Sequence, residues 1–89
     1  MSVYVDSIQS VLLSKNWKYP RGCHLVADTV AELHSFASSL GLKSSWFQDK
    51  SMPHYDLTPN KRRLAIQIGA IEVDREQFVE LLRKRRRLE

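Results

Sequence analysis

Pro53-His54-Tyr55-Asp56-Leu57-Thr58-Pro59-Asn60-Lys61-Arg62-Arg63 gathers more reactive chemistry than any other stretch of this chain. An imidazole, a phenol, a carboxylate and three cations surround what reads as a helix start. Thr58 suits the N-cap and Pro59 the first helical position. The helix dipole disfavours cations at that end, yet Lys61, Arg62 and Arg63 stand in or just past the first turn. Either Asp56 offsets them or an anion binds there. Free N–H groups at a helix start attract phosphate or carboxylate, and Lys61 and Arg62 would add charge and direction. Tyr55 would pack against or hydrogen-bond such a ligand, and Tyr55 or Trp46 would stack on a base. The plainer alternative is a surface helix whose cations pair with Asp56 or Asp49. His54 with Asp56 also has the makings of a general acid–base pair, because a carboxylate can fix an imidazole's tautomer.

Metal chemistry is the second possibility. His24, His34, His54, Asp6, Asp28 and Asp56 are suitable ligand types for zinc or manganese, but their spacing follows no tight metal motif. His34 borders the apolar stripe of a helix and reads as a packed, hydrogen-bonded side chain. Asp28 has an alternative role beside a helix cap. Nucleophilic catalysis has less behind it. Cys23 and His24 are neighbours on a strand, so their side chains point to opposite faces, and a lone buried cysteine behaves as a small hydrophobe. The chain has no Gly-x-Ser-x-Gly turn, phosphate loop or zinc-finger spacing.

The elements that must position these groups read as follows. Val3-Tyr4-Val5 is a strand ending at Asp6. Residues 7–22 are ambiguous: Ile8, Val11 and Leu12 have helical spacing, while Lys15 to Gly22 reads as loop. Cys23 to Ala27 is a second strand. Thr29 caps a helix in a Thr-x-x-Glu box with Glu32, Val30, Leu33, Phe36, Ala37 and Leu40 form its apolar stripe, and Gly41 ends it. Ser45 to Gln48 is a strand candidate, with Trp46 and Phe47 packed against helices. Asp49 to Leu57 is a loop, and a second helix runs from Pro59 to about Ile68. Ala70 to Val73 is a last strand, and Asp74-Arg75-Glu76-Gln77 caps a final helix anchored by Phe78, Leu81 and Leu82.

Alternating strands and helices predict one small α/β domain over residues 1–82, with a three- to four-stranded, mainly parallel sheet and about three helices. In such a sheet the strand-to-helix turns share the carboxyl edge, where ligands bind. Asp6, Asp28, Gln48 and Asp74 would lie there, fed by the His54 to Arg62 segment, with His24 at the far end. The predicted site is therefore His54 and Asp56 as catalytic groups, with Tyr55, Lys61, Arg62, Asp6 and Asp28 as ligand-binding groups.

Eighty-nine residues suffice to bury a core without disulfides, and the single cysteine, Cys23, fits a reduced, cytoplasmic setting. No run has the roughly 20 apolar residues that span a bilayer, and the N-terminus is unlike a signal peptide. The net charge of +4 is carried by Arg83, Lys84, Arg85, Arg86 and Arg87, without which nine cations face ten anions. Residues 83–89 thus form a basic tail, of which Leu88-Glu89 has the look of a cloning scar. The tail suits nucleic acid phosphates, an acidic surface or simply a solvated helix end, and its sequence lacks interleaved aromatics for base stacking.

Tyr4-Val5-Asp6, Trp17-Lys18, Cys23-His24-Leu25-Val26-Ala27-Asp28-Thr29, Glu32-Leu33-His34, Leu40-Gly41, Trp46-Phe47-Gln48, His54-Tyr55-Asp56, Lys61-Arg62 and Gly69-Ala70 together resemble a family of small uncharacterised proteins of bacteria and their phages. The resemblance covers nearly all of residues 3–80 and stops short of the basic tail. It implies a domain of unknown function. Some relatives carry a phosphohydrolase-like domain in the same chain, which implies phosphate chemistry by association.

Three functions follow as expectations. The first is binding of a phosphate-bearing ligand, a nucleotide or nucleic acid, at the carboxyl edge. The second is a metal-dependent phosphoester hydrolase. The third is a phage-derived protein that grips a host protein through its tail or an exposed aromatic.

Overall fold

The computed structural model describes residues 2–10, 21–49 and 52–88. Its longest strand organises the rest. Three strands, β1 (Val3–Val5), β2 (Gln9–Ser10) and β3 (Arg21–Ala27), precede helix α1 (Val30–Ser39). A 3-10 turn (Ser44–Trp46), strand β4 (Tyr55–Leu57), helix α2 (Pro59–Gln67), strand β5 (Ile71–Glu72) and helix α3 (Arg75–Leu88) follow.

β3 pairs antiparallel with β1 on one side and antiparallel with β4 on the other, while β5 joins the outer side of β1 in parallel. The sheet is mixed, with β1–β5 as the parallel pair among the described strands. The expected mainly parallel sheet is therefore corrected, although the α/β class and three helices stand. A parallel β1–β3 pair would need a crossover helix between them. Instead β1 continues into β2, which also runs along β3. Between the Val5–Leu25 and Gln9–Gly22 pairs the first strand advances four residues and β3 only three. Asp6 still lies opposite His24 in that register, so the extra residue is a bulge at Ser7–Ile8. The expected Val11–Leu12 helical turn and the setting of Trp17 lie outside the described residues.

Period-two alternation sorts the sheet into two faces. Val5, Cys23, Leu25, Ala27, Tyr55 and Leu57 join Leu33, Ala37 and Leu40 of the α1 region and Ala65 of α2 in one buried core. His24 and Asp56, the alternate residues, occupy the opposite face. Burial pushes the Cys23 thiol up to about 12, with the charge of Asp6 adding to the effect. We therefore expect Cys23 to resist iodoacetamide at pH 8 in the folded protein and to react once denatured. Mass spectrometry of the folded sample checks this, and rapid labelling would show that the core beneath β3 is open.

Local capping follows the sequence closely. Thr29 Oγ1 accepts from Glu32 N at 3.2 Å, and the Glu32 carboxylate reaches back to accept from the Thr29 hydroxyl at 3.0 Å. Thr58 Oγ1 accepts from Lys61 N, also at 3.2 Å. Asp74 and Gln77 form a reciprocal box, with Gln77 N donating to Asp74 Oδ1 at 2.8 Å and Asp74 N to Gln77 Oε1 at 2.9 Å. Gly41 follows α1 at φ +78°, where a side chain would be strained.

Two expectations fail around residue 46. Ser45 to Gln48 is not a strand: Ser44–Trp46 is a 3-10 turn, and Gln48 makes an isolated antiparallel bridge with His54. Trp46 is 51% exposed beneath the Lys43 ammonium, not packed against a helix. Conversely, the end of the expected loop is β4. Its residues pair with Cys23, His24 and Leu25, partners some thirty positions away that local propensity cannot report.

Candidate metal site

His24 stands at the centre of the sheet face opposite the core. It is the cross-strand partner of Asp56, so the two side chains share a face. On the other side, the β1–β3 register carried one residue past Val5–Leu25 sets Asp6 opposite His24 and on the same face. Asp6 is 3% exposed, and its Oδ1 accepts from His24 N at 2.6 Å while Oδ2 accepts from His24 Nδ1 at 2.7 Å. A carboxylate accepting from Nδ1–H sets the tautomer and leaves Nε2 with its lone pair available.

His54 is oriented in a parallel way. Its Nδ1 lies 2.8 Å from the carbonyl oxygen of Met52. A carbonyl can only accept, so Nδ1 carries the proton and Nε2 the lone pair. That Nε2 lies 3.7 Å from Asp56 Oδ1. Gln48 Nε2 donates to the other Asp56 oxygen, Oδ2. The Gln48–His54 bridge is made by backbone bonds of 2.9 and 3.1 Å, which hold Gln48 beside His54 and Asp56. The His24 and His54 rings meet edge-to-face at 5.0 Å, and the Phe78 ring of α3 lies 5.6 Å from His24.

One ligand atom each from His24, His54 and Asp56 lies within 4.8 Å of the others. Ligands bound at the usual 2.0–2.2 Å from one ion stand roughly 3.5 Å apart, so closure by about an ångström would seat a cation. Two imidazoles and a carboxylate suit zinc, manganese or iron(II) and leave positions for water and substrate. The outer contacts are those expected of metal-binding histidines: a carboxylate on one Nδ1 and a backbone carbonyl on the other.

The Asp6 hydrogen bond holds the His24 imidazolium above its ordinary pKa of 6.5, against the opposing pull of burial and with help from the charges of Asp6 and Asp56. A raised folded pKa gives the metal-free protein a stabilisation that is complete below 6.5 and is lost as pH rises through the folded value. Protons and metal compete for that imidazole, so metal affinity falls as pH drops through the same value.

The other predicted site residues are placed elsewhere. Because β3 is antiparallel to β1, Asp28 leaves the opposite end of the sheet from Asp6. There it accepts from Tyr4 Oη at 3.0 Å and from Ser2 N at 2.9 Å. Tyr55 is 1% exposed on the core side, its hydroxyl 2.7 Å from His34 Nδ1, beside Phe47. His34 is the packed histidine its position on α1 suggested. Lys61 Nζ donates to the Leu40 carbonyl at 2.6 Å, so a cation from the start of α2 serves the negative end of α1. Arg62 Nε donates to the Asp6 carbonyl at 2.8 Å, and its Nη2 reaches Glu72 Oε1 at 3.2 Å. Lys61 and Arg62 thus have partners within the fold, and Arg62 braces the backbone at Asp6.

Sequence reading set His24 at the far end and gave Gln48 only an edge position. The signal for His24 was its place as a polar alternate in an otherwise apolar strand. A family model described as protein of unknown function (DUF4031) matches residues 3–85. The chain belongs to this family. The DUF4031 match takes in the whole His24–His54–Asp56 cluster and extends to the third residue of the basic run. No curated protein and no solved structure matched. Among the described residues, no helix is long and apolar enough to cross a membrane.

Proposed function

We propose that this DUF4031 protein is a metal-dependent phosphoester hydrolase whose divalent ion is held by His24, His54 and Asp56. The observation that carries this reading is the preset pair of histidines. Both have Nδ1 engaged, by Asp6 and by the Met52 carbonyl, beside a carboxylate that Gln48 steadies. A bound divalent ion would lower the pKa of a water in an open position and polarise a phosphoryl oxygen. Hydrolysis there would join a water oxygen to phosphorus as the P–O bond to the leaving group broke, with the electron pair and the proton released by the water both ending on the leaving oxygen. Asp6 and Gln48 act as positioning residues.

The phosphate-bearing ligand expected from the sequence is retained. Its charge would be met by the cation and not by Lys61 and Arg62, which are occupied in the fold. The test uses chelator-stripped protein, Mn²⁺ or Zn²⁺, and bis(p-nitrophenyl) phosphate. Metal should restore turnover, and His54→Ala should lose more than the roughly 10- to 100-fold that outer-shell changes cost. Titration calorimetry showing no metal uptake, or full turnover by His54→Ala, would refute the assignment.

A further inference from the structure

We propose that the ester cut at this site is a phosphodiester of a single-stranded nucleic acid, with a base stacked at Phe78 and the flanking backbone held by the cationic end of α3. The inference rests on the hydrolase reading above. It starts from the one element that connects the cluster to the basic run.

Phe78 is half-buried, and its ring is tilted by 33° from that of His24 at a centroid distance of 5.6 Å. The reciprocal Asp74–Gln77 cap fixes where α3 begins, and Phe78 N donates to the Asp74 carbonyl at 2.9 Å. The ring is therefore held beside the metal ligands by a defined helix start. From there α3 runs unbroken to Leu88, so the basic run begins at Arg83 on the same helix as Phe78. At 1.5 Å of rise per residue it begins about 7 Å beyond Phe78 along the axis.

Sequence alone gave the basic run no aromatic companion. The helix supplies one, at the candidate metal. Arg83 meets Glu80 at 3.1 Å, and both side chains are more than 60% exposed. Exposed pairs of this kind are weak, so that cation is readily diverted to a stronger anion.

An aromatic face followed by a cationic track is the arrangement that binds single strands: bases stack while the backbone follows the charge. A mononucleotide ester spends its phosphate on the metal and has none left for the end of α3. A strand carries further phosphates, and its bases, unlike those of a duplex, are free to stack.

The experiment uses the full chain loaded with Mn²⁺. It compares kcat/KM for a single-stranded oligonucleotide of about 12 nucleotides, within the range of single-strand site sizes, with that for bis(p-nitrophenyl) phosphate. One variant replaces residues 83–87 by Gln. A second is Phe78→Leu, which keeps an apolar contact with His24 but removes the flat face, and circular dichroism verifies the fold of both. The wild type should prefer the oligonucleotide, and its affinity should fall steeply with salt. The glutamine variant should lose at least tenfold in the oligonucleotide-to-diester ratio and show a shallower salt slope. Phe78→Leu should weaken oligonucleotide binding about fivefold or more, as loss of one stacked base does. If the small diester is cut but the oligonucleotide is not preferred, or the ratio is unchanged in both folded variants, the strand assignment falls while the hydrolase stands. If metal binds and neither substrate is cut, the hydrolase reading falls first and takes this one with it.

Discussion

Replacing Asp6 by Asn should lower divalent-metal affinity roughly 10- to 100-fold, the usual cost of altering an outer-shell partner of a metal-binding histidine. Asp6 accepts two hydrogen bonds from His24, one from the backbone N–H and one from Nδ1–H. An asparagine offers one acceptor oxygen and one donor NH₂ in the same space. If the oxygen keeps the backbone N–H, the amide donates to Nδ1 and the imidazole proton moves to Nε2. The nitrogen needed by the metal is then blocked, although the side chain has hardly changed in size. Titration of the variant with Mn²⁺ or Zn²⁺ at pH 7.5 measures the effect. Affinity equal to the wild type would mean that His24 is not a ligand. The variant should also lose the rise in the His24 pKa that the carboxylate produces, which NMR titration of the imidazole reads independently.

The largest stability loss should come from Leu25→Ala. Leu25 is fully buried at the middle of β3, paired with Val5 on one side and Tyr55 on the other. Truncating such a side chain costs about 2–5 kcal/mol, because the transfer energy is lost and a cavity remains. In a domain of this size each kcal/mol moves the melting temperature by about 4–8 °C. A fall of at least about 8 °C is therefore expected in a thermal melt. A shift of only a degree or two would show that β3 is not the centre of the core. The two substitutions also separate the faces of the sheet, since Asp6 supports the His24 face and Leu25 packs in the core on the other.

Helix boundaries were legible because their causes are local. Thr29, Thr58 and Asp74 each find their cap partner within three residues, and the structure places helix starts where those side chains predicted them. Strands were less legible. Tyr55–Leu57, beside Pro53 and with Asp56 at its centre, has the composition of a loop. It becomes a strand because Cys23 to Leu25 lie alongside. Ser45 to Gln48 shows the converse: aromatic, strand-like residues with no long partner, left as a turn and a single bridge.

The sequence by itself determined the chemistry present and the three helices; it named His54 and Asp56 together but set them on a loop, and only the pairing of β4 with β3 makes that segment extended. It determined equally that the body is near neutral and the charge lies at the end. Only the tertiary structure decided which distant groups meet. Antiparallel pairing of β1 with β3 puts Asp6 beside His24 and sends Asp28 to the other end, where a parallel sheet would have done the reverse. It also gave Lys61 and Arg62 carbonyl partners. Strand direction and register are fixed by packing between segments far apart in the chain, and propensities within a short window carry no information about them.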